Sequence, residues 1–148
     1  MDSLWSRIKK YPMKHFFFLV TAPVIYSMLV PIVLIDLCVT VFQWVCFPAY
    51  QIPRVRRRDY IVIDRAKLSY LNAYHKLNCL YCEYANGVIA YVGEILARTE
   101  WFWCPIKHAC EIKSPHAHYD KFMAYGDGVD FRAKLKARRK ECRACDHH

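Results

Sequence analysis

A chain of 148 residues with a formal net charge of +9 normally makes one domain, and leaves no room for the large sheet scaffolds on which metal-dependent hydrolases build their sites. Much of its length is a hydrophobic segment, so about ninety residues remain for a soluble part. A core that small gains from a metal staple.

The first element is a basic flank at 1–14, carrying Arg7, Lys9, Lys10 and Lys14. An apolar segment follows at 15–50, opening with Phe16-Phe17-Phe18-Leu19-Val20 and interrupted mainly by Thr21, Ser27, Asp36, Thr40 and Gln43. The run outlasts the roughly 7–15 apolar residues of a signal peptide, and no small-x-small cleavage site closes it, so a retained anchor is expected. Residues 16–35 supply about twenty residues at 1.5 Å each, enough for a ~30 Å hydrocarbon core.

Asp36 ends that stretch, and a carboxylate at the bilayer centre would cost roughly 2.5–3.5 kcal/mol. It is therefore expected near a surface, in a turn or against a partner. Asp36, Thr40 and Gln43 recur at i, i+4 and i+7, a narrow polar stripe that reads as an interfacial helix or the second arm of a hairpin. Arg54, Arg56, Arg57 and Arg58 make the far flank as basic as the near one, so positive-inside logic does not choose an orientation. A hairpin turning between Pro31 and Asp36, or a monotopic anchor, is favoured over one long kinked helix. Either way the C-terminal region is expected in the cytoplasm, where thiols stay reduced.

Residues 51–58 read as a basic linker at the membrane surface, its four arginines set to meet anionic headgroups. Residues 59–125 read as a small helical domain. Tyr60-Ile-Val-Ile is a lone strand or an extended lead-in, Asp64 is a candidate cap for a helix from Arg65 to about Lys76, and a C-x2-C turn follows. A second helix is expected from about Glu83 to Glu100, with Tyr84, Val88, Tyr91 and Ile95 on one face and Glu94 and Arg98 paired on its surface. Trp101-Phe102-Trp103 reads as core, as a shield for a metal or as an interfacial belt. Pro105 suits the first turn of a helix presenting His108. Residues 126–148 open with a Gly126-Asp127-Gly128 turn and continue as a basic helix from about Val129 to Cys142.

Within that domain Cys79 and Cys82 are spaced C-x2-C, and Cys104 and His108 C-x3-H, with twenty-one residues between the pairs. Two residues between thiols let one tight turn aim both sulfurs at a point, and three residues put Cys and His on one helical face. Four soft ligands in two short clusters predict a tetrahedral zinc site of structural type. Iron is the alternative, and with Cys110 in place of His108 four thiolates suit iron or an iron–sulfur cluster. A redox role for Cys79 and Cys82 would need a βαβ context that is missing. Cys142-x2-Cys145 with His147-His148 is a second soft cluster, at a terminus where fraying works against a site.

His116-Ala-His118-Tyr-Asp120 matches the H-x-H-x-D start of hydrolase sites only superficially. With no nucleophile elbow, phosphate-binding glycine loop or paired carboxylates, the sequence gives no support for an enzyme. The basic C-terminal helix could touch nucleic acid, but the membrane anchor argues against it.

The stretches Pro31-Ile-Val-Leu-Ile-Asp-Leu, Ile52-Pro-Arg-Val-Arg-Arg-Arg-Asp-Tyr-Ile-Val, Lys76-Leu-Asn-Cys-Leu-Tyr-Cys-Glu-Tyr-Ala-Asn-Gly, Ala97-Arg-Thr-Glu and Trp103-Cys-Pro-Ile-Lys-His-Ala resemble an uncharacterised group of small bacterial membrane proteins. The resemblance implies a bacterial inner-membrane setting and no activity. The expected molecule is thus mainly α: a membrane-embedded helical segment, hairpin or long kinked helix, followed by a small helical metal-binding domain facing the cytoplasm. Its expected partners are the lipid bilayer and a protein at the membrane, and its expected role is that of a binding or adaptor module. An iron or dithiol electron-transfer protein is the alternative.

Overall fold

The computed structural model describes residues 20–145; the basic flank at 1–14, Phe16–Phe18 and His147-His148 lie outside them. The first helix, α1, runs from Val20 to Tyr50 and at 1.5 Å per residue is about 46 Å long. Its regular hydrogen bonding is interrupted by a turn at Met28, ahead of the stretch Leu29–Tyr50. Pro31 has no N–H to give the Ser27 carbonyl, and the Met28 N–H reaches back only to Ile25 O, at 3.2 Å. The hairpin expected at Pro31–Asp36 does not form. Pro31 falls in the first turn of the regular stretch, where a missing donor costs little, and no breaker follows before Pro48. Gln51 ends the helix in a left-handed conformation (φ 58°), its N–H shared between the carbonyls of Phe47 and Pro48.

After Gln51 the chain doubles back along α1, through Pro53, Val55 and the single turn α2 (Arg57–Tyr60). Tyr60-Ile-Val-Ile is no strand. Of the helix expected from Arg65 to Lys76, only a 3-10 turn at Arg65–Lys67 and the last four residues, from Ala73 on, are helical. Helix start passes instead to Asn72, whose side-chain oxygen accepts the His75 N–H at 2.9 Å, leaving Asp64 without a capping bond.

Helix α3 then runs unbroken from Ala73 to Trp103. The expected C-x2-C turn is absent because no glycine or proline lies between Ala73 and Asn86 to open the helix there. Pro105 begins no helix either: its carbonyl accepts the Met123 N–H at 2.8 Å in a short parallel bridge, which leaves His108 on an exposed loop. The basic helix expected at 129–142 is α4, Phe131–Arg143.

Helices α1 and α3 lie side by side and point the same way. Tyr26 meets Asn78 (2.6 Å), Tyr84 meets Asp36 (2.9 Å), Gln43 meets Tyr91 (2.9 Å), and the rings of Tyr50 and Phe102 sit 5.5 Å apart. A parallel pair needs a return crossing, and residues 52–65 provide it in the groove between the two helices. The core forms where these three layers meet, on Val39, Phe47, Val55, Val88, Tyr91 and Ile95.

Gly87 lets the return segment come so close. A Cβ there would stand 2.8 Å from Tyr60 O and 2.9 Å from Ile61 Cα, both backbone, whereas one on Gly93 meets nothing within 4 Å. Gly87→Ala is therefore expected to cost about 1–3 kcal/mol by overpacking, and Gly93→Ala to gain about 0.5–1 kcal/mol of helix propensity. Chemical denaturation of the two variants in detergent reads the opposite signs.

Candidate functional site

The four expected zinc ligands are not brought together. Cys79 and Cys82 lie one turn apart inside α3, while Cys104 follows its last residue. Twenty-one residues of continuous helix separate Cys82 from Cys104, a rise of about 33 Å. His108 and Cys110 are exposed beyond that end, the His108 N–H donating to the Tyr119 hydroxyl at 2.8 Å. Among the described residues no group of three or more His, Cys, Asp or Glu is placed to hold a metal ion. The spacing of the pairs suggested a site, but a rigid helix occupies the gap that a flexible knuckle would have closed.

Two other features stand out. The first is the polarity of α1. Its exposed side carries Val24, Ile25, Val30, Val33, Leu34, Leu37, Val41, Trp44 and Val45, and its buried side carries Asp36 and Gln43. The polar stripe read as interfacial thus turns inward. Asp36 takes a bidentate pair from Arg57 (Nε 3.3 Å, Nη2 2.6 Å) and the Tyr84 hydroxyl. Gln43 accepts the Val55 N–H at 2.6 Å and donates to Val55 O at 3.3 Å, so one side-chain amide satisfies an otherwise orphaned stretch of return backbone. An apolar exterior over a polar interior inverts the usual soluble helix.

Because α3 and the return segment keep register with α1, charged groups accompany it along its length. Glu83 and Arg65 pair at 3.5 Å, Arg57 sits at Asp36, and Arg98 donates to Pro53 O at 3.0 Å. At the far end Arg143 Nε donates to Tyr50 O and Arg139 Nε to Phe102 O, both at 3.0 Å. These α4 arginines thereby satisfy carbonyls at the C-termini of two parallel helices, where their dipoles favour cations. Arg54, Arg56 and Arg58 are exposed, and Arg54 lies over the Trp44 ring at 4.4 Å. The apolar surface of α1 continues across a groove of about 500 Å³, lined by Leu29, Val33, Ile63, Leu77, Leu80 and Tyr84 among others.

The second feature is a buried cluster on the last turns of α3. Glu94 and Arg98, expected on the surface, pair at 2.7 Å with side chains 13% and 4% exposed. The His118 ring adds a 2.9 Å contact to Glu94 and stacks on Trp101 with centroids 4.8 Å apart. Burial pushes the Glu94 carboxyl up, but the hydrogen bonds from His118 and Arg98 outweigh it and hold the group below its usual range. A depressed carboxylate stabilises the fold above its unfolded pKa, and that contribution is lost as the pH falls through the folded value. Stability in detergent should thus hold down to about pH 4.5 and decline below it, and Glu94→Gln should flatten that decline; chemical denaturation at a series of pH values checks both. Cys142 and Cys145 of α4 and its end complete the cluster, the Cys142 thiol donating to Arg98 O at 3.7 Å.

The chain matches no family model, no curated protein and no solved structure.

Proposed function

We propose that this protein is a monotopic membrane anchor, with α1 lying along the membrane plane and its apolar outer side in the hydrocarbon, and that it serves as a binding or adaptor module. The setting we propose is the cytoplasmic side of a bacterial inner membrane. The observation that carries the reading is the parallel register of α1 with charged partners. An upright slab ~30 Å thick around α1 would submerge one or more of the pairs Arg65–Glu83, Arg57–Asp36 and Arg98–Glu94, and the arginines of the first two, 62% and 48% exposed, would meet hydrocarbon, where a charge costs roughly 2.5–3.5 kcal/mol. Laid flat, α1 keeps all of them on the water side. Exposed Arg54, Arg56 and Arg58 then fall at headgroup level, and Trp44 with its stacked Arg54 suits the interface. Zinc finds no support in the ligand positions and is not part of this reading.

Basic residues at an anionic surface contribute about 1 kcal/mol each. The Arg54→Gln/Arg56→Gln/Arg58→Gln variant is accordingly expected to bind vesicles containing anionic phosphatidylglycerol on the order of 100-fold more weakly, with little change on zwitterionic vesicles. Flotation at two salt concentrations checks it. Equal loss on both kinds of vesicle would contradict a headgroup role for these arginines.

A further inference from the structure

Cys142 and Cys145 stand i, i+3 across the end of α4, which stops at Arg143. The Cys145 N–H donates to Cys142 O at 3.4 Å, closing a turn that keeps the two Cα atoms within about 7 Å, the limit beyond which a disulfide needs backbone movement. Their setting is asymmetric. Cys142 is fully buried beneath the carbonyl of Arg98, while Cys145 is half-buried and lies outside the helix. It can therefore change position at the cost of one turn hydrogen bond, its N–H to Cys142 O. Cys79 and Cys82 share the spacing but sit inside α3, where closing a disulfide would distort the helix.

We infer that Cys142 and Cys145 form a reversible dithiol–disulfide pair that exchanges with small disulfides of the glutathione class, Cys145 attacking and Cys142 resolving. The Cys145 thiolate attacks one sulfur of the disulfide, forming a mixed disulfide and expelling one thiolate. The Cys142 thiol then attacks the Cys145 sulfur. The Cys142–Cys145 bond forms as the mixed disulfide breaks, and the second glutathione thiol leaves with the Cys142 proton. The pair, one thiolate and one thiol, loses two electrons and one proton, and the small disulfide gains them as one thiolate and one thiol. Charge favours these roles. The neighbouring Cys142 thiol brings the Cys145 thiol down to about 6 against the opposing effect of burial, with Arg98 and His118 adding to the lowering and Glu94 opposing it. Its neighbour Cys145 and burial push Cys142 up, so it holds the proton. This chemistry is independent of how α1 meets the membrane.

The test uses the full chain in detergent, equilibrated with mixtures of reduced and oxidised glutathione and then blocked with iodoacetamide for intact mass. The expected oxidised species lacks two hydrogens and takes up two fewer alkyl groups, with the link mapped to Cys142 and Cys145. Cys142→Ser should accumulate glutathione on Cys145, and Cys145→Ser should leave Cys142 unmodified. Should Cys142→Ser fail to fold, the wild-type chain decides: Cys145 should be alkylated at least ten-fold faster at pH 7 than the exposed Cys104 and Cys110, and the advantage should shrink below pH 6. A Cys142–Cys145 pair that stays dithiol across the whole glutathione range, or a Cys145 no faster than those two thiols, overturns the inference.

Discussion

Replacing Arg98 with alanine should lower the unfolding free energy by about 3–5 kcal/mol, the cost of removing one partner from a buried ion pair. The side chain does three things at once. Its Nε holds Glu94 at 2.7 Å, its Nη1 holds the carbonyl of Pro53 on the return segment at 3.0 Å, and at 4% exposure its stem fills the gap between them. Alanine leaves a largely buried carboxylate with His118 as its remaining side-chain hydrogen-bond partner among the described residues and frees the return segment near its start. Lysine restores the charge but not the fork that reaches Glu94 and Pro53 together, so Arg98→Lys should recover less than half of the loss. Chemical denaturation of detergent-solubilised protein measures both. An Arg98→Ala cost below about 1 kcal/mol would place the pair among exposed ones and remove it as the clamp between α3 and the return segment.

The second large effect belongs to the outer side of α1. Leu37 and Val41 are 64% and 57% exposed and lie one turn apart on the side away from α3. Glutamate at both sites puts two carboxylates where the proposal has acyl chains. At roughly 2.5–3.5 kcal/mol per charge in the hydrocarbon, less nearer the interface, vesicle partition should fall by at least about 100-fold. The fold should survive, because neither residue belongs to the core. Circular dichroism separates the two consequences: helix content retained with binding lost supports the placement, whereas unchanged flotation would mean that this side of α1 does not meet lipid.

Much of the helical content was legible from periodicity. The Tyr84, Val88, Tyr91 and Ile95 face is the inner face of α3, although Tyr84 is only partly buried, and the basic helix near 129–142 lies within a few residues of α4. The uninterrupted apolar run of α1 was equally plain, but its fate at Pro31 was not, since proline near a helix start bends as readily as it turns. Cys79 and Cys82 misled because ligand spacing is a statement about local reach, and a helix through Ala73–Trp103 converts the intervening residues into distance. Asp36 and Gln43 were visible as a polar stripe. Their inward direction depended on partners 12 to 48 residues away, Val55 and Tyr91 among them, which no local pattern encodes. Glu94 and Arg98 were paired correctly yet read as exposed, because their burial comes from the C-terminal segment that folds over them, bringing His118 and Cys142 to the end of α3.

The most direct test of the membrane account is a depth profile along α1. A genetically encoded nitroxide amino acid, which leaves the native cysteines untouched, would be placed in turn at Val24, Val30, Leu37, Val41 and Val45, all exposed on α1, in protein bound to anionic vesicles. The ratio of oxygen to nickel-chelate accessibility then reports immersion at each site. A helix lying in the plane predicts similar shallow depths at all five, with no trend along the chain. A profile that deepens to a maximum near Leu37 and returns to headgroup depth at Val24 and Val45 would mean that α1 crosses the bilayer, and would contradict the account.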